Sequence, residues 1–375
     1  MANVIQLFDS FRQGGTEWQT VQLTRLLHES GKHRLFLASL NDEGPLRAEV
    51  EKLGFHDIPS FPLQNFYNLN AAKQLSRLAS FLRKNKIDLV HAHDFYTNIF
   101  GVAASRLAGV RACIASRRET EGLRSPSKRW VERRAFNAAA AVVANAEAIR
   151  GQLIAEGLPA PKVVTIHNGL NVAHVTPRIN AQRADLLQSF NLPNGRRFVT
   201  IVANMRHVMK DQESFLRAAQ LTRTALPDTS FILAGEGEQM PRLQQFAAEL
   251  GLSDSAFFIG RCNRIGDLLA VSDVCVLSSR GVEGFSNSIL EYMAAGRPVV
   301  ATDVGGAREA VVNDETGYVV KPQDFQTMAE HLISLLRDPQ KAFAMGAQGR
   351  RRVVEQFSCE AQLKRVEELY AKLLK

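Results

Sequence analysis

Paired cysteines, apolar runs of membrane length and internal repeats are all missing from this 375-residue chain. Its four cysteines form no C-x-x-C pair, so we expect reduced core thiols rather than a disulfide framework or a metal site. No run of about eighteen apolar residues occurs, which predicts that no helix crosses a membrane. The first residues, MANVIQLFDSF, lack the basic-then-apolar layout of a signal peptide. With no low-complexity segment either, the chain is predicted to be globular and cytoplasmic.

The excess of positive charge, formally +8, is concentrated in one stretch. Between Arg111 and Arg134 there are eight cations and three anions, and Trp130 is the single aromatic residue. A solvated surface is the plainest interpretation. A site for an anionic lipid or an anionic acceptor is the more specific one, because cations are attracted to a charged membrane. We expect no nucleic-acid partner, because aromatic residues are not interleaved with the cations.

Strand and helix patterns alternate along the first half, which predicts a parallel sheet with helices on both faces. A glycine pair, Gly14-Gly15, follows the first strand, and Thr16 is the expected cap of a helix over Glu17–Ser30. Such a pair is typical of phosphate-binding loops and also of ordinary tight turns. The predicted strands are Val4–Phe8, Arg34–Ser39, Asp57–Pro59, Leu89–His91, Ala112–Ala115 and Ala141–Ala144.

A second alternation of the same kind begins after a polar segment, Val172–Arg197, which is the expected linker. The length and the 45% apolar content suit two domains of ordinary size. The predicted strands of this half are Phe198–Ala203, Phe231–Ala234, Ala256–Ile259, Asp273–Ser278, Val299–Ala301 and Thr316–Val320.

The stretch SSRGVEGFSNSILEYMAAGRPVVATDVGG, residues 278–306, has the features of an anion site. Gly284 lets the backbone approach a ligand, and Ser286 or Asn287 can cap a helix that runs to Ala295. The start of that helix presents backbone N–H groups and a positive dipole end, which suit a phosphate. A capped turn beside a solvated glutamate is the alternative interpretation.

Two cations occupy an unusual place in the second half. Arg206 and Lys210 precede the predicted helix Gln212–Ala225, where the helix dipole disfavours positive charge. This position indicates an anion between the two side chains, although a chance surface placement is also compatible with the pattern.

The spacing of Glu283 and Glu291, with seven residues between them, resembles the E-x7-E motif of the family-four glycosyltransferases. The resemblance extends over nearly the whole chain. It implies an α/β GT-B fold, in which two Rossmann-like parallel-sheet domains face each other across a cleft. The expected domains are residues 1–175 on the acceptor side and 176–355 on the donor side, with a final helix over 359–374 that packs back on the first domain.

The same resemblance implies a retaining hexosyltransferase that takes its sugar from a nucleotide diphosphate sugar and needs no metal or cofactor. Arg206 and Lys210 would hold the donor diphosphate, and Glu283 would contact the sugar hydroxyls. The other donor-binding residues implied are Gly14, Gly15, Gly235, Arg261, Gly284, Phe285, Ser286, Asn287 and Glu291, the last contacting the ribose.

The acceptor side departs from the family pattern. Where several relatives carry a histidine at the end of a strand, this chain has Arg117, which suggests an acceptor with negative charge. His93, Arg117, Arg118 and Lys128 are the expected acceptor or anion face. The pair His91 and His93 is compatible with a metal site on one strand, with a polar lining of the acceptor site, or with buried structural histidines.

The expected function is sugar transfer in lipid-linked or cell-surface glycan biosynthesis, such as that of lipopolysaccharide, at the inner face of the cytoplasmic membrane. Its partners would be a nucleotide-sugar donor, a glycan or lipid-linked acceptor, and an anionic membrane. Two alternatives remain: a nucleotide-sugar epimerase on the same fold, and a non-catalytic subunit that binds nucleotide sugar.

Overall fold

A computed structural model describes residues 1–63, 69–120, 124–178 and 182–375 of the chain. The chain divides into two compact units, residues 1–169 with 359–375, and residues 170–358. The change of unit thus comes between Gly169 and Leu170, before the expected boundary after residue 175. Three residues of the basic stretch and three of the expected linker lie outside the described ranges.

The first unit contains a six-stranded sheet in which all the paired strands are parallel. In chain order the strands are β1 Asn3–Phe8, β2 Arg34–Ser39, β3 Leu89–Ala92, β4 Ala112–Arg117, β5 Ala141–Ala144 and β6 Val163–Thr165. Their order in the sheet is β2-β1-β3-β4-β5-β6. The short strand expected at Asp57–Pro59 was wrong, since that region contributes only a bridge between Ser39 and Ser60.

The helices of the first unit are α1 Gly15–Ser30, α2 Arg47–Glu51, α3 Leu69–Lys84, α4 Phe95–Ala108, α5 Pro126–Ala138 and α6 Glu147–Ala155. Thr16 does not cap α1, because the helix already begins at Gly15 and Gly14 occupies the cap position with extended backbone.

The second unit repeats this architecture. Its strands are β7 Arg197–Val202, β8 Thr229–Ala234, β9 Ala256–Gly260, β10 Val274–Leu277, β11 Val299–Thr302 and β12 Gly317–Val320, in the order β12-β11-β10-β7-β8-β9. Its helices are α7 Arg183–Ser189, α8 Gln212–Ala225, α9 Met240–Glu249, α10 Ile265–Val271, α11 Asn287–Ala294, α12 Ala307–Ala310, α13 Phe325–Arg337 and α14 Pro339–Gln356. The expected linker is therefore not simply a loop, because α7 forms within it.

The final helix, α15 Cys359–Leu374, belongs to the first unit. Its residues Val366, Leu369 and Tyr370 are buried in the same apolar cluster as Val4 and Leu23. A larger cluster fills the second unit between its sheet and helices such as α8 and α13.

Each sheet has a point where the strand order reverses, between β1 and β3 in the first unit and between β7 and β10 in the second. In open parallel sheets, ligands bind outside the carboxyl ends of the strands at such a point. The loops that follow these four strands are therefore where a site is expected.

Candidate active site

In the second unit, the loops after β7 and β10 are joined by a short ion pair. Lys210 Nζ donates to Glu283 Oε1 at 2.5 Å, and Ser279 Oγ donates to the same oxygen at 2.6 Å. Ser278 Oγ donates to the carbonyl of Lys210 at 2.8 Å. Glu283 is only 7% exposed, so its carboxylate is held in a fixed position beside a cation. Sequence reasoning identified Lys210 and Glu283 but missed both serines.

The backbone just before Glu283 is strained. Val282 has φ +54°, a left-handed conformation that is unusual for a β-branched residue. Backbone outliers of this kind persist where the surrounding structure enforces them, and they are common at functional sites. Val282 lies in the loop that connects β10 to α11.

Helix α11 begins where the sequence predicted. Ser286 is its N-cap residue with extended backbone, but among the described side chains none caps it, and Ser286 Oγ instead lies 3.1 Å from Ser288 Oγ. The first N–H groups of a helix have no partner inside the helix. The start of α11 therefore offers N–H donors and a positive dipole end to an anion.

The residues on either side of this helix start are packed firmly. The Phe285 ring lies against Phe357, with ring centroids 4.9 Å apart, and the Gly284 carbonyl accepts a hydrogen bond from Gly306 N at 2.8 Å. Glu291 lies one turn into α11, and burial raises its pKa to about 7. A carboxyl group with such a pKa changes charge near neutral pH.

The loop after β8 closes against the loop that carries Arg206. Gly235 has φ +150°, and a Cβ there would lie 2.0 Å from the carbonyl oxygen of Ala203, so only glycine fits. Arg206 itself is exposed, and Arg261 follows β9 at the edge of the sheet.

In the first unit, a cavity of about 240 Å³ lies at the carboxyl ends of β3 and β4. Its lining includes Thr16, His93, Asp94, Phe95, Tyr96, Ser116, Arg118, Glu119, Arg124 and Lys128. His93, Arg118 and Lys128 were expected on this side. Gly14 and Gly15 form the start of α1, and the Glu17 carboxylate folds over Gly14, so that a Cβ on Gly14 would meet it at 2.3 Å.

Arg117 was wrongly assigned to the acceptor face. Strand β4 continues two residues beyond the expected Ala115, so Arg117 lies within it and is 1% exposed. Its Nη1 donates to both carboxylate oxygens of Glu156, at 2.9 and 2.7 Å. Arg117 is thus buried in an ion pair, and the arginines that line the cavity are Arg118 and Arg124.

A chain of hydrogen bonds connects Arg118 to the C-terminal helix. Gln6 Nε2 donates to the Tyr370 hydroxyl at 3.0 Å, so that hydroxyl donates in turn to His91 Nδ1 at 2.8 Å. Gln6 Oε1 accepts from His93 Nε2 at 2.7 Å, which leaves His93 Nδ1 to accept from Arg118 Nη2 at 3.2 Å. Both histidines are therefore neutral, and burial lowers the pKa of each.

The second guanidinium nitrogen of Arg118, Nη1, donates to Asn168 Oδ1 at 3.0 Å. Arg118 is thus oriented from two sides by neutral acceptors. The histidine pair is accounted for by this network and acts as a structural polar core beside the cavity, which argues against the metal interpretation of His91 and His93.

Two family profiles match the chain, one for Glycosyltransferase Family 4 over residues 13–174 and one for Glycosyl transferases group 1 over residues 182–352. The chain belongs to the family-four glycosyltransferases. The resemblance based on Glu283 and Glu291 is thereby confirmed at the level of the family.

Relatives of the chain include several glycosyltransferases. The N-acetyl-alpha-D-glucosaminyl L-malate synthase of Bacillus anthracis is 24% identical over 371 residues, 96% of this chain and 95% of that protein. The UDP-Gal:alpha-D-GlcNAc-diphosphoundecaprenol alpha-1,3-galactosyltransferase of Escherichia coli is 26% identical over 82% of this chain and 81% of its own. A GDP-mannose-dependent alpha-(1-6)-phosphatidylinositol monomannoside mannosyltransferase of Mycolicibacterium smegmatis is 29% identical over 75% and 78%.

Solved structures share this fold. Anabaena Alr3699/HepE in complex with UDP superimposes with a TM-score of 0.88 at 22% identity, covering 99% of this chain and 100% of that one. A glycosyltransferase from Rickettsia africae superimposes with a TM-score of 0.86 at 20% identity, covering 100% and 99%. The fold class predicted from the sequence, a GT-B fold with two Rossmann-like units, is confirmed. Among the described residues, no helix is both long and apolar enough to cross a membrane.

Proposed function

We propose that this glycosyltransferase moves a hexose-type sugar from a nucleotide diphosphate sugar to an acceptor hydroxyl, with retention of the anomeric configuration. The observation that carries the proposal is the Lys210–Glu283 pair beside the start of α11, at the reversal point of the second sheet. A cation, an N–H-lined helix start and a fixed carboxylate together suit a sugar diphosphate.

In this proposal the positive groups act on the leaving diphosphate. As the bond from the anomeric carbon to the β-phosphate oxygen breaks, negative charge grows on that phosphate. Arg206, Lys210 and the N–H groups from Ser286 to Ser288 stabilise it more strongly in the transition state than in the ground state. Because these groups supply the positive charge, neither a metal ion nor a cofactor is required.

Glu283 is proposed to accept hydrogen bonds from hydroxyls of the donor sugar, and Glu291 from those of the ribose. The remaining donor contacts are proposed for Gly14, Gly15, Gly235, Arg261, Gly284, Phe285 and Asn287.

For retention we favour attack from the face on which the leaving group departs. The acceptor oxygen bonds to the anomeric carbon while its proton passes to the departing phosphate oxygen. A covalent sugar intermediate on Glu283 is less favourable, because Oε1 of this carboxylate already accepts from Lys210 and Ser279, which lowers its nucleophilicity.

The proposed acceptor carries a carboxylate or phosphate group and binds in the cavity of the first unit. Arg118 and Lys128 line that cavity, with His93 holding Arg118. The names of three relatives, which contain malate, diphosphoundecaprenol and phosphatidylinositol, support an acidic acceptor. We place the reaction in lipid-linked or cell-surface glycan biosynthesis at the inner face of the cytoplasmic membrane.

The test is a thermal-shift screen of nucleotide sugars, followed by transfer assays in which the best donor is combined with acidic and neutral acceptors. Lys210→Ala and Arg206→Ala are each expected to lower kcat by roughly a hundred-fold, the loss typical of one charge-stabilising contact. Arg350→Ala, which removes an exposed cation from α14, is the matched control and should leave kcat unchanged.

Three outcomes would contradict the proposal. Unchanged turnover in both variants would show that Arg206 and Lys210 are not catalytic residues. A change of the donor sugar in the absence of acceptor would indicate the epimerase. Tight donor binding without transfer to any acceptor would indicate the non-catalytic subunit.

A further inference from the structure

Helix α5 turns a basic face outward. Glu132, Ala135 and Phe136 are buried against the first unit, whereas the opposite side of the helix is exposed. Three cations lie on that exposed side: Arg129, Arg133 and Arg134. Glu132 is the only acidic residue in α5, every residue of which is described, so the exposed side of this helix carries no carboxylate.

The inner cations of the same stretch are neutralised by the protein itself. Arg117 pairs with Glu156, and Arg124 donates to Glu119 at 3.0 Å and to Glu132 at 3.2 Å. The basic stretch between Arg111 and Arg134 therefore contains two sets of cations. Arg117 and Arg124 form ion pairs within the protein, and the outer set lies on the exposed side of α5.

The outer set of cations lies on the same exposed side of α5 as an aromatic side chain. Trp130 is 61% exposed, and the guanidinium carbon of Arg134 lies 4.9 Å from its ring centroid. The basic surface continues at the C-terminal end of α5, where Arg106 donates to the Ala138 carbonyl and Lys162 to the Asn137 carbonyl. A large exposed indole among cations is costly in water and is stabilised at a membrane interface, where its ring meets the acyl boundary and its N–H stays hydrated.

We propose that the α5 face, defined as Arg129, Trp130, Arg133 and Arg134, docks onto a lipid bilayer that contains anionic headgroups. The cations are attracted to the negative surface potential, and Trp130 inserts at the headgroup level. A bilayer fits better than a nucleic acid, because a single aromatic residue offers no series of stacking positions. The inference deepens the proposed use of a lipid-linked acceptor, but its test measures binding alone and does not depend on transfer activity.

The first experiment is flotation of the full-length protein with vesicles of phosphatidylcholine alone or with about 30% phosphatidylglycerol. The wild type is expected to float with the anionic vesicles and to be released as salt rises, since the attraction is screened. Arg129→Gln, Arg133→Gln and Arg134→Gln combined should lower the partition coefficient by roughly a hundred-fold, at about five-fold per cation.

Matched controls lie in the second unit. Arg350→Gln with Arg351→Gln removes two exposed cations from α14, and Phe343→Ala removes an aromatic ring that is 77% exposed. Neither should change flotation by more than two- to three-fold. If the α14 variants reduce flotation as much per cation as the α5 variants do, the attraction belongs to net charge and the proposal is overturned.

The second experiment uses Trp130 as the reporter. The chain has two tryptophans, so Trp18→Phe leaves Trp130 as the only one. Its emission is expected to shift to shorter wavelength with anionic vesicles and to stay unchanged with neutral ones. No shift, an equal shift with both, or binding to a DNA duplex in place of vesicles would overturn the proposal. Transfer to a soluble acceptor should remain unaffected by the α5 substitutions. A failure of the membrane-docking proposal can therefore be distinguished from a failure of the proposed transfer function.

Discussion

Two adjacent arginines of this chain have opposite environments because of strand geometry. Successive side chains of a strand point to opposite faces of the sheet. Arg117, the last residue of β4, is directed to Glu156, and Arg118, the next residue, is directed to the cavity, His93 and Asn168. One residue of difference in where β4 ends therefore decides which of these two arginines lines the cavity of the proposed acceptor.

At the same scale, Glu291 predicts a pH dependence of nucleotide binding. Burial raises its pKa to about 7 in the free protein, and ribose hydroxyls that donate to the carboxylate would lower that pKa in the complex. The affinity for a nucleoside diphosphate should therefore be greatest above pH 7 and fall as the pH drops through about 7. Calorimetric titration from pH 6 to pH 8 measures this change.

The control for that titration is Glu291→Gln, which keeps the shape of the side chain and removes its titration. The phosphate of the ligand also titrates in this range, so the difference between wild type and variant isolates Glu291. A variant that shows the same pH profile as the wild type would exclude Glu291 as the ribose contact.

The same carboxyl group also affects stability. Its pKa is raised on folding, so it stabilises the folded protein fully below its unfolded pKa, and this contribution is lost as pH rises through about 7. We expect Glu291→Gln to raise Tm relative to wild type at pH 8 and to leave the two nearly equal at pH 4, below the pKa of an unfolded glutamate. Calorimetric scans of the ligand-free proteins at both pH values measure the difference.

At the scale of the element, helix α15 does more than complete a core. Its Tyr370 hydroxyl sits between Gln6 and His91, and Gln6 in turn fixes His93, which orients Arg118. Tyr370 of α15 is thus connected by hydrogen bonds, through the side chains of Gln6 and His93, to a cation that lines the cavity.

Tyr370→Phe tests this connection. Loss of the hydroxyl leaves the Gln6 amide and His91 Nδ1 buried without a partner, which should destabilise the protein by about 1–3 kcal/mol. With Gln6 free to rotate, Arg118 should be less well oriented, and KM for an acidic acceptor should rise several-fold while KM for the donor stays constant. Steady-state kinetics with each substrate varied in turn measure the two KM values. Tyr318→Phe in the second unit is the control that distinguishes an effect on Arg118 from a general loss of stability.

At the scale of the whole molecule, the chain leaves its first unit after Gly169 and returns to it at Cys359. A variant ending at Ser358 loses Val366, Leu369 and Tyr370 from the core of the first unit. Their burial contributes roughly 5–9 kcal/mol, which is comparable with the stability of a whole domain. We expect the first unit to unfold and the second to keep its structure.

Hydrogen exchange measured by segment shows the difference between the units. Amides of β1 and β3 should lose protection in the shortened protein, and those of β7 and β10 should keep it. A variant ending at Ala371, which retains all three apolar residues, is the control. Equal loss of protection in both units would mean that they do not fold as separate cooperative bodies.

The sequence by itself determined the fold class and the elements at which a site could form. Helices α8 and α15 and strands β2 and β5 have the predicted bounds, because hydrophobic periodicity and the residues that end an element are local signals. The spacing of Glu283 and Glu291 identified the family for the same reason, since both lie in one continuous turn and helix. Helices α6 and α14 were not predicted.

Tertiary structure alone decided which side chains meet. The Lys210–Glu283 pair joins residues 73 apart in sequence, and the Tyr370–His91 bond joins residues 279 apart. Such contacts depend on strand order, on the exact residue at which β4 ends and on the return of α15 to the first unit. No local sequence pattern encodes these contacts, because packing over the whole sheet determines them. For that reason Arg117 was predicted at the surface, whereas the fold buries it beside Glu156.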